Sequence, residues 1–218
     1  MLEQRINLLK QKIVEYAFFI ENMIRNSIKG LMNKNRELLE KVIDDLEPKA
    51  NDFEIELDEL CTSTIAQFGP KAKNLRSILM IEKMNNDLER IGDQAVNISE
   101  CGLYLIEKPP VKPLVDIPRM GEEAVKMLND AIDSFINENI TLAESVCERD
   151  NIVDNLRDQI LRELITFMTS DPVTIERSIH LIKISRNLER IADLSTNICE
   201  DVIFMIEGKV IKHRKKKD

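Results

Sequence analysis

Tryptophan is absent, and the chain carries only two tyrosines and seven phenylalanines. A core with so few rings has to be filled by Leu, Ile, Val and Met. Six glycines and seven prolines in 218 residues leave little punctuation, so the elements are few and long. The class these scarcities indicate is all-α. Cys61, Cys101, Cys147 and Cys199 never fall in CxxC spacing, which argues against a zinc ribbon or a redox dithiol and suits reduced thiols. His180 and His213 are the only histidines, and no Glu-x-x-His occurs, so the histidine-containing di-iron arrangement of helical bundles is missing. No Walker A loop, GxGxxG or GxSxG is found. No apolar run approaches the roughly 20 residues that span a bilayer, and MLEQRINLLKQ lacks a secretory pattern. The expectation is a cytoplasmic protein.

Charge is abundant and uneven. The formal net charge is −8, yet the last ten residues, KVIKHRKKKD, are strongly basic, which leaves the remaining body near about −13. Such a body repels a phosphate backbone and argues against nucleic acid as a partner. It suits cations. The tail reads either as a solvated terminus or as a contact for anionic lipid or an acidic partner.

Helical apolar spacing runs through residues 2–32 without a breaker, and again from about 36 to 68, where Pro48 predicts a break or bend near Leu46–Glu47. FGP at 68–70 closes that region, and a third helix is expected over 71–107. Four prolines within EKPPVKPLVDIPRMG mark a linker, placed at 109–118. The second half is expected to repeat the plan, with helices near 119–137, 140–168 and 172–207. This gives a first bundle over 1–108, a second over 119–208 and the tail at 209–218.

The repetition is explicit in two phrases: LERIGDQAVNISE at 88–100 and LERIADLSTNICE at 188–200. Ile81, Met84, Leu88, Ile91, Ala95, Ile98, Gly102 and Leu105 recur at alternating three- and four-residue steps, as do Leu181, Ile184, Leu188, Ile191, Ser195, Ile198, Val202 and Met205. That is a seam that packs on neighbouring helices. Packing explains the Leu and Ile identities but not the acids. Glu89 and Asp93 lie one turn apart on one face, and so do Glu189 and Asp193. Like charges at this spacing cost a few tenths of a kcal/mol. Arg90 and Arg190 point about 100° away from them, as consecutive helical positions do. The remaining compensation is a bound cation, because clustered carboxylate oxygens attract hard cations and iron. A second acidic row, Asp150 with Asp154, occurs on the fifth helix. Its counterpart on the second is Glu47 with Asn51, an amide in place of a carboxylate. A solvated charged face is the competing reading.

The two LERI phrases, the KPLVDIP linker and the KNLRSI approach to the first phrase resemble the PhoU family over nearly the whole chain. The resemblance implies two similar antiparallel three-helix bundles related by pseudo-two-fold symmetry. It also implies a negative regulator of phosphate uptake and phosphate-starvation signalling. Such a protein is a metal-binding adaptor between the ATPase of a phosphate ABC transporter and a phosphate-sensing histidine kinase, close to the membrane through its partners. A homodimer is compatible with this. Carried over residue by residue, one metal cluster would use Glu47, Glu89 and Asp93. The other would use Asp150, Asp154, Glu189 and Asp193, with the first weakened by Asn51. Fe, Zn, Mn or Mg all suit oxygen donors, singly or as multinuclear clusters. No catalytic residue is indicated. A carboxylate-bridged metal enzyme and a purely structural bundle are the alternatives.

Overall fold

The computed structural model describes residues 1–208; the basic tail at 209–218, and its reading as a lipid or partner contact, lie outside them. The described chain is helical almost throughout. Its helices are α1 (Leu2–Met32), α2 (Arg36–Lys41), α3 (Glu47–Phe68), α4 (Lys73–Ile106), α5 (Asp116–Ile136), α6 (Ile140–Ser170) and α7 (Ile175–Glu207). A π-helical segment, Val42–Leu46, joins α2 to α3, and a short 3-10 turn, Pro172–Thr174, precedes α7.

The two halves share a turn that holds their first two helices side by side. Asn33 ends α1, Lys34 adopts φ 51°, and the Asn35 side chain accepts the Leu38 N–H at 3.1 Å to cap α2. In the second half Asn137, Glu138 (φ 47°) and Asn139 do the same, with Asn139 accepting from Leu142 N–H at 3.1 Å. Asparagine suits both jobs, because its short amide caps orphan N–H groups.

The break or bend expected near Leu46–Glu47 takes the form of a widening. The helix passes from α2 into the π segment, where the Glu47 N–H bonds back to the Val42 carbonyl, and α3 then restarts with Pro48 in its first turn. Proline is tolerated there because its missing N–H removes no regular bond. The extra residue is visible in the repeat. Asn35 corresponds to Asn139, an offset of 104, whereas Ala50 corresponds to Val153, an offset of 103. One residue has been absorbed between them, as a π-bulge does. Two other boundaries differ from expectation. Helix α4 begins at Lys73, after Ala72 at φ 50°. Helix α5 begins at Asp116, inside the expected linker, because Pro118 falls in its first turn.

Helices α4 and α7 lie at the centre and pack on each other; α1 and α3 cover α4, and α5 and α6 cover α7. The seam residues are buried from Ile81 to Gly102 and from Leu181 to Met205, and Leu105 is half-buried. Buried apolar side chains from both halves form one continuous cluster, so the repeats share a core rather than each closing its own. Leu39, fully buried, seats the short α2 into hollows on two neighbours. A Cβ at Gly30 of α1 would meet its Cδ2 at 2.7 Å and its Cγ at 2.8 Å, and one at Gly102 of α4 would meet both δ-carbons at 3.1 Å. Substitution Gly30→Val is expected to destabilise the chain by about 1–3 kcal/mol through overpacking. Urea unfolding measures this, and an unchanged midpoint would contradict the seating.

Candidate functional site

The first acidic cluster lies over the α3–α4 contact. Glu89 and Asp93 come from α4, Glu47 from the start of α3, and Glu54 from two turns further along α3. Burial raises the pKa of Glu89, and Asp93 and Glu54 raise it further. Burial likewise raises Glu47, helped by Asp93 and Glu100, and it raises Asp93 itself. Beneath them sits Tyr16 of α1, 0% exposed and stacked on Phe53 with ring centroids 5.3 Å apart. Its hydroxyl has no hydrogen-bond partner among the described residues. Burial, then Glu89, Glu54 and Asp93, push that phenol well above its ordinary range. Asn51 is exposed.

The second cluster occupies the matching place over α6 and α7, with Asp150 and Asp154 facing Glu189 and Asp193. It carries its own cation. The Arg157 guanidinium bonds Glu189 at 2.6 Å and Asp154 at 3.2 Å, while also holding Asp158 at 2.9 Å. Even so, Asp193, exposed at the edge of the cluster, is raised to about 6, first by partial desolvation and then by Glu189, Asp150 and Asp154, against the opposing effect of Arg157. Asp150 is raised by burial, Asp154 and Glu189, and its buried Oδ1 lacks a hydrogen-bond partner among the described residues.

The repeat visible in these clusters is also a recognised unit. A family model described as the PhoU domain matches residues 13–102 and again 117–202. The chain belongs to the PhoU family. A phosphate-specific transport system accessory protein PhoU homolog from Aquifex aeolicus is 38% identical over 94% of this chain and 92% of its own length. The homolog from Pseudomonas aeruginosa is 33% identical over 94% of this chain and 85% of its own. The crystal structure of PhoU from P. aeruginosa matches with a TM-score of 0.92 and 30% identity, over 96% of this chain and all of that one. The phosphate transport system regulatory protein PhoU from Streptococcus pneumoniae matches with a TM-score of 0.90 over 97% of this chain and 99% of that one. At 23% identity it speaks for the fold alone.

Within this PhoU fold the structure brings the expected acids to two equivalent places, but not into a cage. Among the described residues, no group of three or more Asp, Glu, Cys or His side chains is arranged to hold a metal ion. Mutual repulsion favours that spread, and in the second cluster Arg157 draws Glu189 and Asp154 to itself. Sequence reasoning missed Glu54, Tyr16 and Arg157. The first and last could have been found from the offset of 103, which sets Glu54 against Arg157. The two clusters therefore have opposite charge balance at one position. His180 stacks on Tyr104 with ring centroids 4.1 Å apart. The four cysteines are free thiols. No helix among the described residues is long and apolar enough to cross a membrane.

An Asp whose folded pKa stands above its unfolded value stabilises the fold only while protonated. That contribution is complete below the ordinary carboxylate range and is lost as pH rises through about 6. With a chelator present, Asp193→Asn should therefore raise the melting temperature at pH 7.5. After allowance for solvent screening, the rise should be no more than roughly 2–4 °C, which corresponds to ~1 kcal/mol in a chain of this size. The gain should shrink as the pH is lowered through 6. Calorimetric melts across that range test it, and a gain that grows on acidification would reverse the assignment.

Proposed function

We propose that this protein is a non-catalytic accessory regulator of phosphate-specific transport in the cytoplasm. It restrains uptake and starvation signalling by contacting both the transporter's ATPase and a phosphate-responsive sensor histidine kinase. The observation that carries the reading is end-to-end similarity, through both repeats, to accessory proteins of that system. Its surface is α-helical throughout the described chain and its acids are paired across helices, which suits recognition between proteins. Capture of the tagged chain from phosphate-replete cells, followed by mass spectrometry, should recover the transporter ATPase and the kinase together. Recovery of neither would sink the adaptor role.

Metal is proposed as part of this design. The donor set fits a hard cation: oxygen-only, partly desolvated, with carboxylates raised by one another and a buried Asp150 oxygen lacking a partner. Glu47, Glu54, Glu89 and Asp93 would hold it in the first half, and Asp150, Asp154, Glu189 and Asp193 in the second. A bound ion would supply positive charge that offsets carboxylate repulsion and pins one helix to the next. The first cluster is the stronger candidate, because Glu54 adds a carboxylate where Arg157 already neutralises the second. Asn51, which lowers the acidity of the first row, is exposed and to one side.

Elemental analysis for Fe, Mn, Zn and Mg tests this order of preference. The double substitution Glu54→Ala with Glu89→Ala should deplete bound metal. Removing the guanidinium by Arg157→Ala should raise metal content by opening the second cluster. Content unchanged in both variants would remove metal from the reading while leaving the adaptor role to the capture experiment.

A further inference from the structure

Arg90 and Arg190 are the cations of the repeated phrase and lie outside the seam, although Arg90 is near enough to Glu89 to oppose the rise in its pKa. They occupy equivalent positions on α4 and α7, and the packing of those helices brings both to one open cleft of about 910 Å³. Lys183, Arg186, Asn97 and Asn187 line the same cleft. Both arginines also line the smaller adjoining cleft of about 490 Å³, where Asn197 takes the place that Asn97 holds in the first. Two equivalent arginines and two equivalent asparagines thus converge from the two repeats.

The charge there is poorly compensated. Arg90 reaches Asp87 only at 3.4 Å, through its neighbouring turn. Among the described residues, Lys183, Arg186 and Arg190 make no ion pair, whereas Arg157 is spent on Glu189, Asp154 and Asp158. The lining acids are Asp93, Glu100, Asp158 and Glu189, and Arg157 already neutralises the last two. What is left is an excess of cations, Arg90, Lys183, Arg186 and Arg190 against Asp93 and Glu100, on a chain whose net charge is −8. Converging cations cost free energy unless an anion joins them.

We propose that this cleft binds a phosphoryl group, held between the Arg90 and Arg190 guanidiniums with Arg186 and Lys183 beside them. Planar guanidinium forks match pairs of phosphoryl oxygens, and several cations around one point favour a dianion over a carboxylate. Asn97 and Asn187 supply neutral N–H donors, as amide side chains can. The volume lies in the range of small-molecule sites, roughly 300–1,000 Å³. It therefore accommodates inorganic phosphate or a phosphoryl group carried on a nucleotide. This ligand is independent of which proteins the chain contacts.

Titration calorimetry of the full chain in chelator, once with inorganic phosphate and once with ADP, tests the site and separates the two sources. Saturable binding of either probe is expected, with the dissociation constant weakened about tenfold or more by Arg190→Ala and by Arg90→Ala, the loss of a charge-assisted contact. Both side chains are exposed, so circular-dichroism melts of the variants should match the parent. Binding of phosphate alone assigns the free anion, and binding of ADP alone assigns a carried phosphoryl group. No saturable heat with either probe overturns the proposal. So does affinity unchanged in the double arginine variant, or binding that needs added metal and survives arginine removal, since the anion would then sit on the ion.

Discussion

The burial of α4 against α7 is the constraint from which the rest of this molecule follows. The apolar stripe of α4 lies under the helices of its own half: a Cβ at Gly92 would meet Ile20 of α1, and one at Gly102 would meet Leu39 of α2. Across the contact between α4 and α7, Tyr104 stacks on His180 and Lys83 pairs with Asp201, and the buried apolar side chains of both halves merge into one core. The outer helices cover the stripes and the flanks of α4 and α7. Glu89 and Asp93, and their counterparts on α7, fall on those flanks because they sit beside the stripe. Arg90 and Arg190, one position on, are turned toward the clefts where the two repeats meet, which Asp93, Glu189 and Asp193 also line. A single helix pairing thus gathers the arginines between the halves, with one edge of each acidic cluster beside them.

Much of this could be read from residues alone. The seam at Leu88, Ile91 and Ile98 was legible because alternating three- and four-residue steps survive duplication intact. Long helices followed from the shortage of glycine and proline. Pro48 signalled a disturbance, but a pattern of side chains does not distinguish a broken helix from one widened by a residue. That choice rests on whether the Glu47 N–H can still find a carbonyl. The shared Asn-x-Asn turns were equally present in the sequence, yet surrounded by so many polar residues that nothing set them apart.

The acidic rows were legible as pairs on one helix, since helical spacing is local. Their partners across helices were not. Glu54 and Tyr16 join the first cluster only because α1 and α3 pack at particular heights against α4, which no local pattern encodes. Arg157 escaped notice for a different reason: a lone arginine on a charged helix looks like any solvated cation. Its significance lies in occupying the position that Glu54 fills in the other half. Duplication gave two copies of one site, and this exchange of charge separates them more sharply than the change from Asp154 to Asn51.

The π segment before α3 carries a consequence for how such a chain tolerates change in length. Losing one residue from an ordinary helix swings everything beyond it through about 100°, which in α6 would turn Asp150 and Asp154 away from α7. Between Val42 and Leu46 the same deletion can be absorbed by tightening the wide turn to α geometry, leaving Glu47 and Glu54 facing α4. The first half contains slack in its helical register, and the second half has none.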